Sequence, residues 1–224
     1  MFHPIDQPLE RGWVGRVDGE RVVHLAAQTL QSFFLGGGGA REHAVYRLDE
    51  VVLLAPVTHP PAVRIFDGPE TFAFGNPAAV VGPGAEITAP AEPLSIRPRL
   101  AAIVGAEGAI GGFTVYGEWC AAGLVPPKDT DFAASLGPVV LTGDELFDPP
   151  RVRVTVDGAE RLVAEMPAFD WEEARSFAAA GTKLRPGDIL VATAPGEVVG
   201  VAAGARVEIH IAGIGQLAAS VRKR

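Results

Sequence analysis

A single cysteine, Cys120, is present in 224 residues. An intrachain disulfide framework is therefore excluded, and a reducing cytosol is the expected setting. Long apolar runs are missing as well. Segments such as Val51 to Ala55 or Val198 to Ala203 fall far short of the roughly 20 residues that a membrane-spanning helix needs. The first residues hold no basic stretch followed by an apolar one. Met1 to Leu9 includes His3, Pro4, Asp6 and Pro8, which argues against a secretory signal. Positive charge is scarce too: 19 Lys and Arg stand against 27 Asp and Glu, a formal net charge of −8. Neutralising phosphates needs clustered cations, so a general nucleic-acid binder is excluded. The one basic run, Arg222-Lys223-Arg224, reads as a solvated tail. The expectation is a soluble cytoplasmic protein with neither membrane nor nucleic acid as partner.

What the chain does have is glycine and proline, 27 and 19 residues, spread evenly between short apolar runs. That pattern reads as an all-β or β-rich domain; with the two helices expected at Ala26 to Leu35 and Phe169 to Ala180, the fold class is mixed, β-rich (α+β). Gly12 to Leu25 reads as two strands around Asp18-Gly19, a strong hairpin signal. Ala26 to Leu35 has apolar residues at helical spacing and runs into Gly36 to Gly39, a helix with a flexible exit. That glycine run lacks the Gly-Lys-Ser/Thr of a phosphate loop and reads as a hinge. Tyr46 to Val57 reads as one strand leading into the main domain. Further strands are expected at Ala78 to Val81, Leu100 to Val104, Phe113 to Tyr116, Val139 to Leu141, Arg151 to Val156, Ile189 to Ala192 and Val207 to Ile211. Phe169 to Ala180 reads as a helix, with acidic residues in its first turn and Gly181 after its end. There is no internal repeat.

Five segments in order are distinctive: Gly112-Phe113-Thr114-Val115, Leu136-Gly137-Pro138, Leu141-Thr142-Gly143-Asp144-Glu145-Leu146, Arg185-Pro186-Gly187-Asp188-Ile189-Leu190 and Ile211-Ala212-Gly213-Ile214-Gly215-Gln216-Leu217. From about Leu48 to Val221 the chain thereby resembles the fumarylacetoacetate hydrolase family. The resemblance implies a rolled, incompletely closed β barrel behind a small N-terminal α+β module, residues 1–57 and 58–224. It also implies a homodimer, or a heteromer with an active paralogue.

The family holds Mg²⁺ or Mn²⁺ through three carboxylates, two of them in a Glu-x-Glu pair. Residues i and i+2 of a strand share one face, so such a pair points at one spot with roughly 6–7 Å between its members. Here the resemblance sets Arg97-Pro98-Arg99 at the Glu-x-Glu. Glu118 stands at the third ligand, and only this carboxylate remains, so the cofactor is expected to be lost. The family's His–Glu pair has no counterpart in Ala62 to Phe72. Its Gly-Thr-Pro becomes Thr193-Ala194-Pro195, and its helix before Gly-Tyr-Thr shrinks to Ala106 to Ile110. Lys128 and Asp131 match the family.

Arg97 and Arg99 read either as surface residues or as pocket residues that must be balanced by Glu118 and Asp131, or by an anionic ligand such as a small carboxylate. Lys128 reads equally as a loop lysine. Cys120 reads as a small apolar pocket residue; His24, His43, His59 and His210 form no ligand spacing; and Asp144, Glu145 and Asp188 read as scaffold. The substrate-binding set is thus Arg97, Arg99, Glu118, Lys128, Asp131 and Thr193. Two functions follow. One is a pseudoenzyme, small-anion binder or partner subunit. The other is a divergent hydrolase, decarboxylase or isomerase of small keto acids, using Arg97, Arg99 and Lys128 as oxyanion stabilisers without a metal.

Overall fold

The computed structural model describes residues 1–145 and 149–222. Leu146 of the Thr-x-Asp-Glu-Leu segment and Lys223-Arg224 of the basic tail lie outside them. The chain opens with short strands, β1 (Phe2–Pro4), β2 (Gly15–Asp18), β3 (Arg21–Leu25), β4 (Glu42–Arg47) and β5 (Val51–Leu53), with helix α1 (Leu30–Leu35) before β4. β1 pairs with β5, and β2, β3 and β4 form a separate antiparallel sheet. The expected hairpin is present. Asp18 pairs with Arg21, so the loop is Gly19-Glu20, and Gly19 takes a φ of +57° that a side chain would resist.

Three local expectations are corrected. The first helix begins at Leu30, not Ala26, because the Thr29 side chain caps it by accepting from Ser32 N–H. The single strand over Tyr46 to Val57 is broken by a 3₁₀ turn at Leu48–Glu50, where the Glu50 carboxylate accepts from Arg47 N–H. The strand expected over Ala78 to Val81 is shortened to Val80–Val81, because Ala78 and Ala79 belong to another 3₁₀ turn, Pro77–Ala79, capped by Asn76.

Histidines expected to be scattered are also brought together here. His24 stacks on Trp13 at 4.6 Å and lies 5.2 Å from the His43 ring. Burial, and then the neighbouring His43, hold His24 below the usual imidazole range. The unfolded chain therefore takes up this proton more readily than the folded one. The contribution is fully present above the unfolded value of about 6.5 and is lost as pH falls from there through the lower folded value. The thermal midpoint should accordingly drop more between pH 7.5 and 5.5 in the wild type than in His24→Gln; equal slopes would remove His24 from the account.

The rest of the chain adds β6 (Val63–Gly68), β7 (Thr71–Gly75), β8 (Val80–Val81), β9 (Ala85–Ile87), β10 (Leu94–Val104), β11 (Ile110–Ala121) and β12 (Ala134–Leu141). Then come β13 (Arg151–Val156), β14 (Ala159–Glu165), helix α2 (Trp171–Ala179), β15 (Ile189–Val191), β16 (Val198–Val201), β17 (Arg206–Ile211) and β18 (Gly215–Val221). A curled eight-stranded sheet runs β7-β6-β15-β10-β11-β12-β8, with β16 also on β10; a second sheet runs β14-β13-β17-β18-β9. Pairing is antiparallel except at β6–β15, β8–β12 and β9–β18. The strand-rich rolled sheet with few helices is the expected fold.

Sequence pattern explains which face each strand buries. β13, β17 and β18 alternate buried with more exposed residues, as strands with one covered face do. β10 and β11 are buried almost throughout, because the curled sheet is covered on both sides. Its inner face packs Leu94, Ile96, Leu100 and Trp119 against Val154, Ile209 and Leu217 of the second sheet. Each such side chain contributes about 1.5–3 kcal/mol when fully buried. The other face carries Ala101, Ile103, Tyr116 and Leu136, against which Leu30 and Phe34 of α1 pack. Gly111 permits that docking, since a Cβ there would stand 2.7 Å from the Phe34 ring. α2 is capped by Asp170 and buries Ala174 and Ala178. Among the described residues no helix is long and apolar enough to cross a membrane.

Candidate functional site

Charged residues inside a strand as deeply buried as β10 demand partners, and β11 supplies one. Their register sets Arg97 opposite Glu118, Arg99 opposite Tyr116 and Ser95 opposite Cys120. Directly paired residues point to the same face, so these six side chains share the face away from the main core. Arg99 is 5% exposed and Glu118 8%. Arg99 Nε donates to Glu118 Oε2 at 2.9 Å, and its Nη1 donates to the carbonyls of Ala192 at 3.0 Å and Phe66 at 3.3 Å. Arg97 is more open, with 36% of its side chain exposed. Its contacts are long: Nη1 lies 3.7 Å from Glu118 Oε2 and Nη2 lies 3.4 Å from Glu197 Oε2. Glu197 also accepts a hydrogen bond from the Ser95 hydroxyl.

Pro98, between the two arginines, has a local explanation. The Leu100 carbonyl accepts from Ala192 N–H, so the backbone two residues earlier presents the same edge of β10. On that edge β15 pairs with Ala101 to Ile103 and β16 with Leu94 to Ile96. Pro98 falls in the interval, where a missing N–H breaks no ladder bond. The turn that spans the interval, residues 192–197, carries Thr193 and Glu197. The interruption in strand pairing thus admits both the Arg99 guanidinium, bonded to Ala192, and the Glu197 carboxylate.

Lys128 and Asp131 bond to each other at 2.6 Å, with the Lys128 side chain 71% exposed. The expectation that Asp131 would balance the arginines is corrected: Glu118 and Glu197 do so. Thr193 is half-buried one residue beyond Ala192. Cys120 is buried, and burial followed by the charge of Glu118 pushes its thiol up to about 11, so it is no thiolate at neutral pH. Burial likewise pushes the Tyr116 hydroxyl up. Asp188 forms a second buried ion pair, with Arg64 at 3.0 Å, while Glu145 accepts from the Thr142 N–H and hydroxyl in its turn. The side chain of Asp144 lies outside the described residues. A cavity of about 680 Å³ lies between the N-terminal strands and β12, lined by residues such as Phe33, Phe34, Val140 and Leu141. Arg97, Arg99 and Glu118 do not line it; the partly exposed members of the charged cluster are Arg97 and Glu197.

Sequence reasoning missed Glu197 and Ser95. The i, i+2 rule pointed at Ser95 once Arg97 was taken to face inward. Nothing in the sequence places Glu197, because a turn has no periodicity and the pairing of β16 with β10 joins segments about 100 residues apart.

A strand-rich curled sheet with a second sheet packed on its inner face and few helices is the fumarylacetoacetate hydrolase fold. The chain belongs to the fumarylacetoacetate (FAA) hydrolase family, whose C-terminal model matches residues 41–222. Maleylpyruvate hydrolase from Sphingobium sp. SYK-6 is similar, with a TM-score of 0.80 and 23% identity, covering 96% of this chain and 98% of that one. A structure of that hydrolase in complex with manganese(II) and pyruvate gives a TM-score of 0.78, with 95% and 97% covered at 23% identity. A 2-hydroxyhepta-2,4-diene-1,7-dioate isomerase from Mycobacterium marinum gives 0.74 at 22% identity, with 95% and 93% covered. No curated protein sequence matches the chain.

Proposed function

We propose that this chain is a cation-independent member of the family that binds a small carboxylate at Arg97. The observation that supports it is the buried Arg99–Glu118 contact. A divalent ion of the Mg²⁺ or Mn²⁺ kind needs several hard oxygen ligands converging on it. At the positions the family uses, one carboxylate converges, and a guanidinium already bonds it. The residues do not fit the cation, and among the described residues no group of three or more His, Cys, Asp and Glu is placed to hold a metal. Two guanidinium and two carboxylate groups balance one another in charge, which removes the cost of an uncompensated buried ion.

Of the two arginines Arg97 is the more available to a ligand, since Arg99 is almost fully buried and its Nε and Nη1 donate to Glu118 and two carbonyls. A planar guanidinium with partial solvent access suits a carboxylate. Pyruvate is a fitting probe. Calorimetry should show metal-independent binding of pyruvate that is lost in Arg97→Ala. Binding that persists in Arg97→Ala would place the anion elsewhere and overturn this reading. The same exposure of Arg97 favours a second reading, in which the guanidinium stabilises a developing oxyanion of a small keto acid. Metal-free turnover of such a substrate, abolished in Arg97→Ala, would establish it. Assembly as a homodimer, or as a heteromer with an active paralogue, belongs to the same proposal and is measured by light scattering.

A further inference from the structure

The two arginines of the cluster are engaged very differently, and the difference points to Glu197. Charge-assisted hydrogen bonds to a carboxylate normally fall at about 2.7–2.9 Å. Arg99 reaches Glu118 at 2.9 Å, whereas Arg97 meets Glu118 at 3.7 Å and Glu197 at 3.4 Å. The two ends of the Arg97 fork are thus shared between two carboxylates at long range, and the two-point geometry that makes arginine a carboxylate receptor is unused. Glu118 is locked by Arg99. Glu197 is not: its side chain is 32% exposed, and it stands at the end of the turn over residues 192–197.

We infer that Glu197 is a built-in competitor for the Arg97 anion subsite, so that a ligand carboxylate binds by displacing the Glu197 carboxylate from the guanidinium. This deepens the proposed carboxylate-binding function and rests on it. The exchange keeps the cluster balanced. One carboxylate leaves Arg97 for solvent as another arrives, and Arg99 and Glu118 remain as they are. Ser95, buried beside Cys120 in the β10–β11 register, now donates its hydroxyl to Glu197. Once Glu197 leaves, that hydroxyl is free to donate to the second oxygen of the incoming group. The subsite therefore selects small carboxylates and discriminates against their neutral esters, which cannot compete with a resident anion for the same guanidinium. Affinity is set by the difference between the two carboxylates rather than by Arg97 alone.

The test is calorimetric titration of pyruvate and of methyl pyruvate into the wild type, Glu197→Gln and Glu197→Asp, each with and without Arg97→Ala. Glu197→Gln keeps the shape and can still accept from Ser95, but removes the competing charge. It should bind pyruvate on the order of tenfold more tightly than the wild type, with no gain for methyl pyruvate and no binding once Arg97 is replaced. Glu197→Asp draws the carboxylate back by one methylene and should fall between the two. Arg97-dependent binding that is equal or weaker in Glu197→Gln would overturn the competitor role and leave carboxylate binding at Arg97 standing. Absence of Arg97-dependent binding in every variant would overturn both.

Discussion

Replacing Arg99 by alanine should lower the unfolding free energy by about 3 kcal/mol, the lower end of the range for breaking a buried ion pair. The burial decides the scale. With Arg99 and Glu118 at 5% and 8% exposure, the pair falls outside the regime of surface ion pairs, which contribute about 0–1 kcal/mol. The lower end applies because Arg97, 3.7 Å away, still offers Glu118 a partial partner. The loss has two parts: Glu118 is left in a buried site without its closest partner, and the carbonyls of Phe66 and Ala192 lose a shared donor. Removing Glu118 as well takes away the stranded charge, so the double variant Arg99→Ala/Glu118→Ala should recover part of the loss. Denaturant melts of the four proteins give the coupling directly. Near-neutral single variants with no coupling would mean that the arginine is solvated and the cluster is not closed.

The Arg64–Asp188 pair is the second large effect. Both side chains are almost fully buried, at 6% and 2% exposed, 3.0 Å apart. Asp188 additionally accepts from Arg185 N–H, fixing the turn that leads into β15. The Arg64 guanidinium lies over the rings of Phe72 and Phe74 at 5.8 and 5.6 Å. Asp188→Asn should destabilise by about 3 kcal/mol. The two aromatic faces offset part of the cost of an unpaired cation, by about 0.5–2 kcal/mol. Pairing this change with Arg64→Met, which fills the space without charge, should restore much of the stability. A fully additive double variant would show that the two groups do not act as a unit.

The fold was legible because its signals are local and repeated. Arg151 to Val156 and Val207 to Ile211 alternate strictly, and the glycines and prolines between runs mark the turns. Errors came where a single side chain overrides a propensity. Thr29 delays α1, and Glu50 folds back on Arg47 to cut one strand into two. Asp157-Gly158 carried the same hairpin signal as Asp18-Gly19; both residues take positive φ in the turn from β13 to β14. At the candidate site, the family resemblance set Arg97 and Arg99 at the start of a strand, and strand geometry then makes them neighbours on one face. Their partners divide by register: Glu118 follows from the β10–β11 pairing, whereas Glu197 arrives from a turn 100 residues along the chain from Arg97. His24 and His43 were unreadable for the same reason, since the irregularity between Val23 and Leu25 in the β3–β4 pairing is not written in either strand.

The central claim is that a guanidinium has taken over the coordination of Glu118 that a divalent cation would need. Titrating Mn²⁺ into the purified protein by calorimetry tests it most directly. The expected result is no saturable uptake and no change in the unfolding midpoint at millimolar Mn²⁺. Saturable binding of one Mn²⁺ per chain that raises the midpoint, and is lost in Glu118→Gln, would contradict it.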